Sequence, residues 1–163
     1  MNPLDTPLGF STNFLFVPGT RPERFIKALD SGASGVVLDL EDAVAEEDKT
    51  TARNAIRDAW PSFTPEQKKR LIIRTNSPGS KFYAADLILA QELQVACLLI
   101  PKSESLDQIN GAALILPNTA IIPMIETAIG LDKLKEIANA NQVIRLALGN
   151  LDLQADLGMV CDR

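Results

Sequence analysis

Charged residues recur in this chain at one kind of place, immediately after a short apolar run. Glu41 and Asp42 follow 35–40, Arg74 closes 71–74, Glu126 follows 120–125, and Asp152 lies just beyond 143–148. Carboxylates on three run ends form an all-oxygen set suited to a hard divalent cation that keeps several waters, as Mg2+ does. Arg74 adds a planar fork able to grip a carboxylate with two hydrogen bonds. A cation beside an arginine points to a substrate with an α-keto or α-hydroxy carboxylate. The cation would chelate the carboxylate and its neighbouring oxygen and stabilise the enolate formed when a C–C bond breaks or forms.

Each of these residues also has a plainer reading. Glu126 before 127–131 and Asp42 before Ala43 could be charges favoured at a helix N-terminus. Lys102 could be a solvated lysine, and Cys97 core filler. Asp39 is different, because it stands inside the apolar run 36–40 and a buried charge needs a partner or a site. Composition narrows the chemistry further. The 163 residues contain no histidine, so an imidazole base, a His-containing triad and a His-ligated metal are all excluded. A net charge of −5 with 46% apolar residues describes a globular domain and argues against nucleic acid as a partner. Cys97 and Cys161 form neither a CxxC clip nor a disulfide scaffold, which points to a reduced, cytoplasmic compartment. No apolar stretch approaches the roughly 20 residues needed to span a bilayer, and residues 1–16 lack an export signal.

The elements that must position these groups are legible as a repeat. Apolar runs at 13–17, 35–40, 71–74, 96–100, 120–125 and 143–148 are hydrophobic on successive residues, which predicts strands covered on both faces and hence a parallel sheet. Helices are predicted over 22–32, over 48–60 with Asp48 as cap, over 81–93 and over 127–140. The repeat is about 26 residues, typical of βα units. On length alone an open doubly wound sheet is favoured, since a closed eight-fold barrel would need roughly 200 residues at this spacing. Either way, the carboxyl ends of the strands form the ligand-binding rim.

The strings at 15–44 (LFVPGTRPERFIKALDSGASGVVLDLEDAV), 72–76 (IIRTN), 99–105 (LIPKSES), 123–131 (PMIETAIGL) and 148–158 (LGNLDLQADLG) resemble the HpcH/HpaI aldolase superfamily, in particular its citrate lyase β-subunit branch. The resemblance implies a (β/α)8 TIM barrel, here truncated after about six βα units, with residues 1–163 as a single partial catalytic domain. It implies Mg2+ held by Glu126 and Asp152, Arg74 on the substrate carboxylate, and Glu41 and Asp42 near the metal and its waters, either supporting that shell or transferring protons. The implied chemistry is cleavage of citryl-CoA, or its acyl-carrier-protein equivalent, to oxaloacetate and an acetyl thioester. Relatives acting on malyl-CoA or citramalyl-CoA would release glyoxylate or pyruvate, and a non-catalytic ligand-binding or assembly subunit is the remaining alternative. A homo-oligomer is expected, with Arg21 and Lys102 as candidates for phosphate contact. Asn150 and Leu151 stand where the family more often has an acidic residue before Asp152.

Overall fold

The computed structural model describes residues 7–159. Six strands, β1 (Phe14–Pro18), β2 (Gly35–Asp39), β3 (Leu71–Arg74), β4 (Cys97–Ile100), β5 (Ala120–Ile125) and β6 (Ala147–Leu148), pair in consecutive order, every neighbour parallel. Consecutive parallel order without a switch point is the winding of a (β/α)8 barrel and not of a doubly wound sheet, whose order reverses. The length argument for an open sheet therefore fails.

Side-chain parity divides the core into two layers. Val36, Leu38, Leu71, Ile73, Leu98, Ile100, Ile121 and Ile125 pack outward against helix residues such as Phe25, Ile56, Leu89 and Ile109. Val37, Ile72, Cys97, Leu99, Ala120, Ile122 and Met124 turn inward and pack with Leu8. Burial on both sides is why these strands read as unbroken apolar runs. Two residues on from Val37, Ile72 and Met124, the inward set continues into Asp39, Arg74 and Glu126, because side chains alternate with period two. Those three charges are thereby aimed at the rim of the inner face.

Among the described residues eight α-helices complete the units: α1 (Phe25–Leu29), α2 (Lys49–Ala59), α3 (Pro65–Lys68), α4 (Tyr83–Leu93), α5 (Leu106–Ile115), α6 (Ala128–Asp132), α7 (Leu134–Ala138) and α8 (Asn150–Asp156). Several differ from the sequence reading. Asp48 occupies the cap position of α2 but makes no side-chain capping bond, the turn before it being a 3-10 helix over Glu46–Asp48. The stretch 127–140 breaks into α6 and α7 at Lys133. Helix α5 was not anticipated, although Ser105 and Gln108 form a capping box at its start. The run 143–148 pairs as a strand only over Ala147–Leu148, with an isolated bridge from Val143 to Ile121. It has a neighbour on one side only, and its residues are half-buried or exposed. Cys97 is a buried free thiol in the inner layer, and Cys161 lies outside the described residues. Among the described residues no helix is long and apolar enough to cross a membrane.

Candidate active site at the strand ends

Register brings the first pair together. Asp39 and Arg74 are Cα partners across β2 and β3. Arg74 Nε donates to Asp39 Oδ1 at 2.7 Å and Nη2 to Oδ2 at 2.6 Å, a two-bond fork between two buried side chains. This supplies the partner that Asp39 requires. It also commits the fork of Arg74 to the protein, leaving Nη1 as the edge not bonded to Asp39, 3.0 Å from Glu41 Oε2 and 3.5 Å from Asp42 Oδ2. Burial alone would weaken the proton affinity of Arg74, but the Asp39 hydrogen bonds and the surrounding carboxylates raise it, so the guanidinium stays charged. The Phe16 ring lies beneath it, 5.2 Å from centroid to Cζ.

Asp39 does further work. Its two oxygens also accept the main-chain N–H of Glu41 at 2.8 Å and of Ala43 at 3.1 Å. The loop after β2 thus folds over its own aspartate, bringing the Glu41 side chain to Arg74. Glu41 is buried, and its Oε2 touches Arg74 Nη1 without the angle of a hydrogen bond, so that oxygen has no donor. Burial pushes its pKa up to about 7 against the pull of Arg74, with Asp42 and Glu126 adding repulsion. A carboxyl that titrates near neutrality beside an arginine is suited to give and take a proton. Asp42 is mostly exposed.

The second half of the rim is built on β4, β5 and α8. Glu126 is buried, and its Oε1 accepts the main-chain N–H of Lys102 at 2.8 Å. Lys102 presents that N–H from a left-handed backbone, φ 46°, unusual for a side chain other than glycine. Gly149 leaves the space Glu126 occupies, because a Cβ there would stand 2.3 Å from Glu126 Oε2. Burial raises the Glu126 pKa and Asp152 adds to the effect, while the Lys102 amide opposes it. Asp152 lies in the first turn of α8, half exposed. The Lys102 ammonium stands between the halves, 3.5 Å from Asp152 Oδ2 and 3.9 Å from Glu41 Oε1.

All five sequence-predicted residues therefore meet on one rim, Arg74 with Glu41 and Asp42, Glu126 with Asp152 by way of Lys102. Lys102 is partly exposed but is not a remote solvated lysine, since its ammonium faces Asp152 and Glu41. Thr127, not Glu126, caps α6, its hydroxyl accepting from the Gly130 N–H. Arg21 is exposed, its guanidinium 3.8 Å from Glu23. Among the described residues no three His, Cys, Asp or Glu side chains gather at metal-binding distances. A divalent cation here would thus have two protein carboxylates at most, the usual number for Mg2+ completed by water and ligand oxygens. Counted as formal charges, Asp39, Glu41, Asp42, Glu126 and Asp152 against Lys49, Arg74 and Lys102 leave −2, a balance that a divalent cation would offset.

Two supports of the rim were not read from the sequence. Asp86, fully buried in α4, accepts from Asn76 N–H and Nδ2 at 2.7 Å each and from Arg53 Nη1 at 3.0 Å, tying down the turn after Arg74. Lys49 at the start of α2 reaches the loop carrying Glu41. The available signals were a lone Asp among the apolar residues of 83–90 and a lysine at helical spacing from buried Ala52 and Ile56.

A parallel βα sheet in barrel order, with an acidic rim and a buried arginine at its strand ends, defines part of a TIM-barrel fold, whose ligand sites lie at that end of the strands. The chain belongs to the HpcH/HpaI aldolase/citrate lyase family, whose sequence profile matches residues 13–162. It is 39% identical over 145 residues to the citrate lyase subunit beta-like protein of Mycobacterium tuberculosis, covering 89% of this chain and 50% of that one. It is 30% identical over 144 residues to the (3S)-malyl-CoA thioesterase of Cereibacter sphaeroides, covering 88% and 50%. The chain thus spans about half the length of these relatives. The citrate lyase beta subunit of M. tuberculosis complexed with oxaloacetate and magnesium superposes with a TM-score of 0.82 at 37% identity, covering 100% of this chain and 67% of that one.

Proposed function

We propose that this chain is a Mg2+-dependent carbon–carbon lyase that cleaves a citryl-CoA-like 3-hydroxy-3-carboxyacyl thioester to oxaloacetate and an acetyl thioester. The observation that carries this reading is the joint geometry of the rim: Glu126 on the Lys102 main-chain N–H and Asp152 facing the Lys102 ammonium, with a buried arginine and a glutamate whose pKa burial pushes up to about 7 on the same rim. Glu126 and Asp152 would hold the Mg2+. When bound, that ion supplies Lewis-acid polarisation of the oxygen next to the substrate carboxylate.

The protein's own groups do the rest. Arg74 meets the substrate carboxylate at its Nη1 edge, its other edge being held by Asp39, so the anion docks in one orientation. Glu41, when ionised, accepts the proton of the 3-hydroxyl as the C–C bond breaks and the electron pair passes to the thioester enolate. The same proton then goes to the enolate carbon, giving the acetyl thioester. Asp42 adds negative charge beside Arg74 and Glu41 and keeps the Glu41 proton affinity high. This reading has residues 1–163 act as one partial barrel domain in a cytoplasmic homo-oligomer, on a thioester of CoA or acyl-carrier protein.

A relative named L-malyl-CoA/beta-methylmalyl-CoA lyase in Rhodobacter capsulatus, 31% identical over 159 residues, favours a second reading, with malyl-CoA or citramalyl-CoA as substrate and glyoxylate or pyruvate released. The test is to incubate the chain with citryl-, malyl- and citramalyl-CoA, with Mg2+ or with EDTA, and to follow keto acid and free thiol separately. Keto acid appearing with Mg2+ and lost in Glu126→Ala and Asp152→Ala supports the lyase. Free thiol without keto acid means thioester hydrolysis and overturns it. Mg2+-dependent oxaloacetate binding in calorimetry without turnover of any thioester replaces it with a ligand-binding subunit.

A further inference from the structure

Among the described residues, Lys49 is the one buried cation near the rim that the mechanism above does not use. It opens α2 on the face that also buries Ala52 and Ile56, and only 7% of it is exposed. Its Nζ donates two hydrogen bonds of 2.7 Å, to the carbonyls of Leu40 and Glu41. Both go to main chain and neither to a carboxylate. In a strand, successive carbonyls point to opposite sides, so two successive carbonyls on one ammonium mark a chain that has left the strand. The change of direction is sharp. Leu40 N–H still donates to Arg74 O at 3.0 Å, continuing the ladder with β3, whereas Glu41 N–H has already turned back to Asp39 Oδ1 at 2.8 Å. The Glu41 peptide is thus gripped on both sides, its N–H by Asp39 and its C=O by Lys49. Ala43 N–H on Asp39 Oδ2 and Val44 N–H on Glu41 O close the bend.

We infer that Lys49 is a positioning residue: its buried ammonium sets the bend at Leu40–Glu41 and so holds the Glu41 carboxylate against Arg74 and within reach of Lys102. A lysine suits this task better than an apolar residue of equal length. Without it, the Leu40 carbonyl loses the Lys49 donor and the Glu41 carbonyl keeps only Val44 N–H, and a buried acceptor without a donor is costly. The catalytic significance of this placement rests on the role proposed for Glu41, whereas the bend itself does not.

The test is Lys49→Met, which keeps the stem and removes the donors, read by amide hydrogen exchange of the whole chain. The expected result is exchange at Glu41 and Ala43 at least about tenfold faster, with Ile73 and Leu99 in the sheet unchanged. Mn2+ affinity stays within about twofold, while kcat for thioester cleavage falls at least about tenfold at nearly constant KM. Unchanged protection at Glu41 and Ala43 in the folded variant overturns the inference, as does a uniform rise across the sheet. If Lys49→Met does not fold, the unaltered chain decides by NMR: through-hydrogen-bond coupling from Lys49 Nζ to the Leu40 and Glu41 carbonyl carbons is expected, and its absence overturns the inference. A chain without lyase turnover sinks the proposed function, whereas the exchange and coupling readouts still judge Lys49.

Discussion

The two halves of the rim are held by different physics. On the β2–β3 side, Arg74 and Asp39 are buried and joined by hydrogen bonds of 2.6 and 2.7 Å, and the Asp39 oxygens carry two further main-chain donors. On the β4–β6 side, Lys102 faces Asp152 at 3.5 Å and Glu41 at 3.9 Å with no hydrogen bond between the charges, and both Lys102 and Asp152 are nearly half exposed. Short, directional, buried bonds set position, while long, solvated attractions can yield to an incoming charge. Under the proposed function, the first half would hold a substrate anion in register and the second would exchange partners when a cation arrives.

The strongest way to break this contrast is at the rigid half. Asp39→Ala leaves the Arg74 guanidinium buried without its fork and two main-chain N–H groups without acceptors. A loss of about 3–5 kcal/mol in urea unfolding is expected, and a loss under about 1 kcal/mol would erase the distinction.

Next in size is the pH dependence of stability. Glu41 has a folded pKa raised from 4.5 to about 7. Between those values the folded chain binds more protons than the unfolded one, so stability is fully present below pH 4.5 and is lost as pH rises through about 7. The loss attributable to Glu41 is roughly 3 kcal/mol. Denaturation midpoints from pH 4.5 to 8 should show this fall, and Glu41→Gln should flatten it; a fall that persists in the variant assigns it to other groups.

Gly149→Ala probes the looser half. A methyl group 2.3 Å from Glu126 Oε2 must displace the carboxylate. About 1–3 kcal/mol of stability should go, together with weaker Mn2+ binding by calorimetry. Wild-type Mn2+ affinity in this variant would show that Glu126 is not a ligand.

The smallest effect on stability belongs to Asp152→Ala. Its half-exposed pair with Lys102 should be worth less than about 1 kcal/mol, although Mg2+-dependent oxaloacetate binding should vanish. A variant that unfolds early yet binds normally would invert the proposed division of labour.

How much of this was legible varies by element. Strands β2 to β5 are apolar residue after residue because helices cover one face and the inner layer the other, so they stand out in the sequence. The run 143–148 looks the same in sequence and pairs only at its end, since pairing depends on a neighbour that a hydrophobicity pattern does not reveal. Helix α5 was missed because residues 112–116 are apolar without a clear helical period; its Ser105–Gln108 box was the better signal. Arg74, Glu126 and Asp152 were found because charge directly after an apolar run is rare and chemically suggestive. Lys49 and Asp86 were not, because Lys49 acts on carbonyls 8 and 9 positions away and Asp86 on groups 10 and 33 positions away, which only the fold brings near.

The amino-acid sequence by itself determined the βα repeat, the absence of imidazole chemistry and the acidic and basic residues of the rim, because alternation, composition and strand ends are local properties of a chain. Only the tertiary structure decided that the Arg74 fork is spent on Asp39, that Glu41 titrates near 7 and that Lys102 bridges the two halves. Hydrogen-bond partners and desolvation are set by which residues of distant segments share a buried volume, and that is a property of the packed molecule.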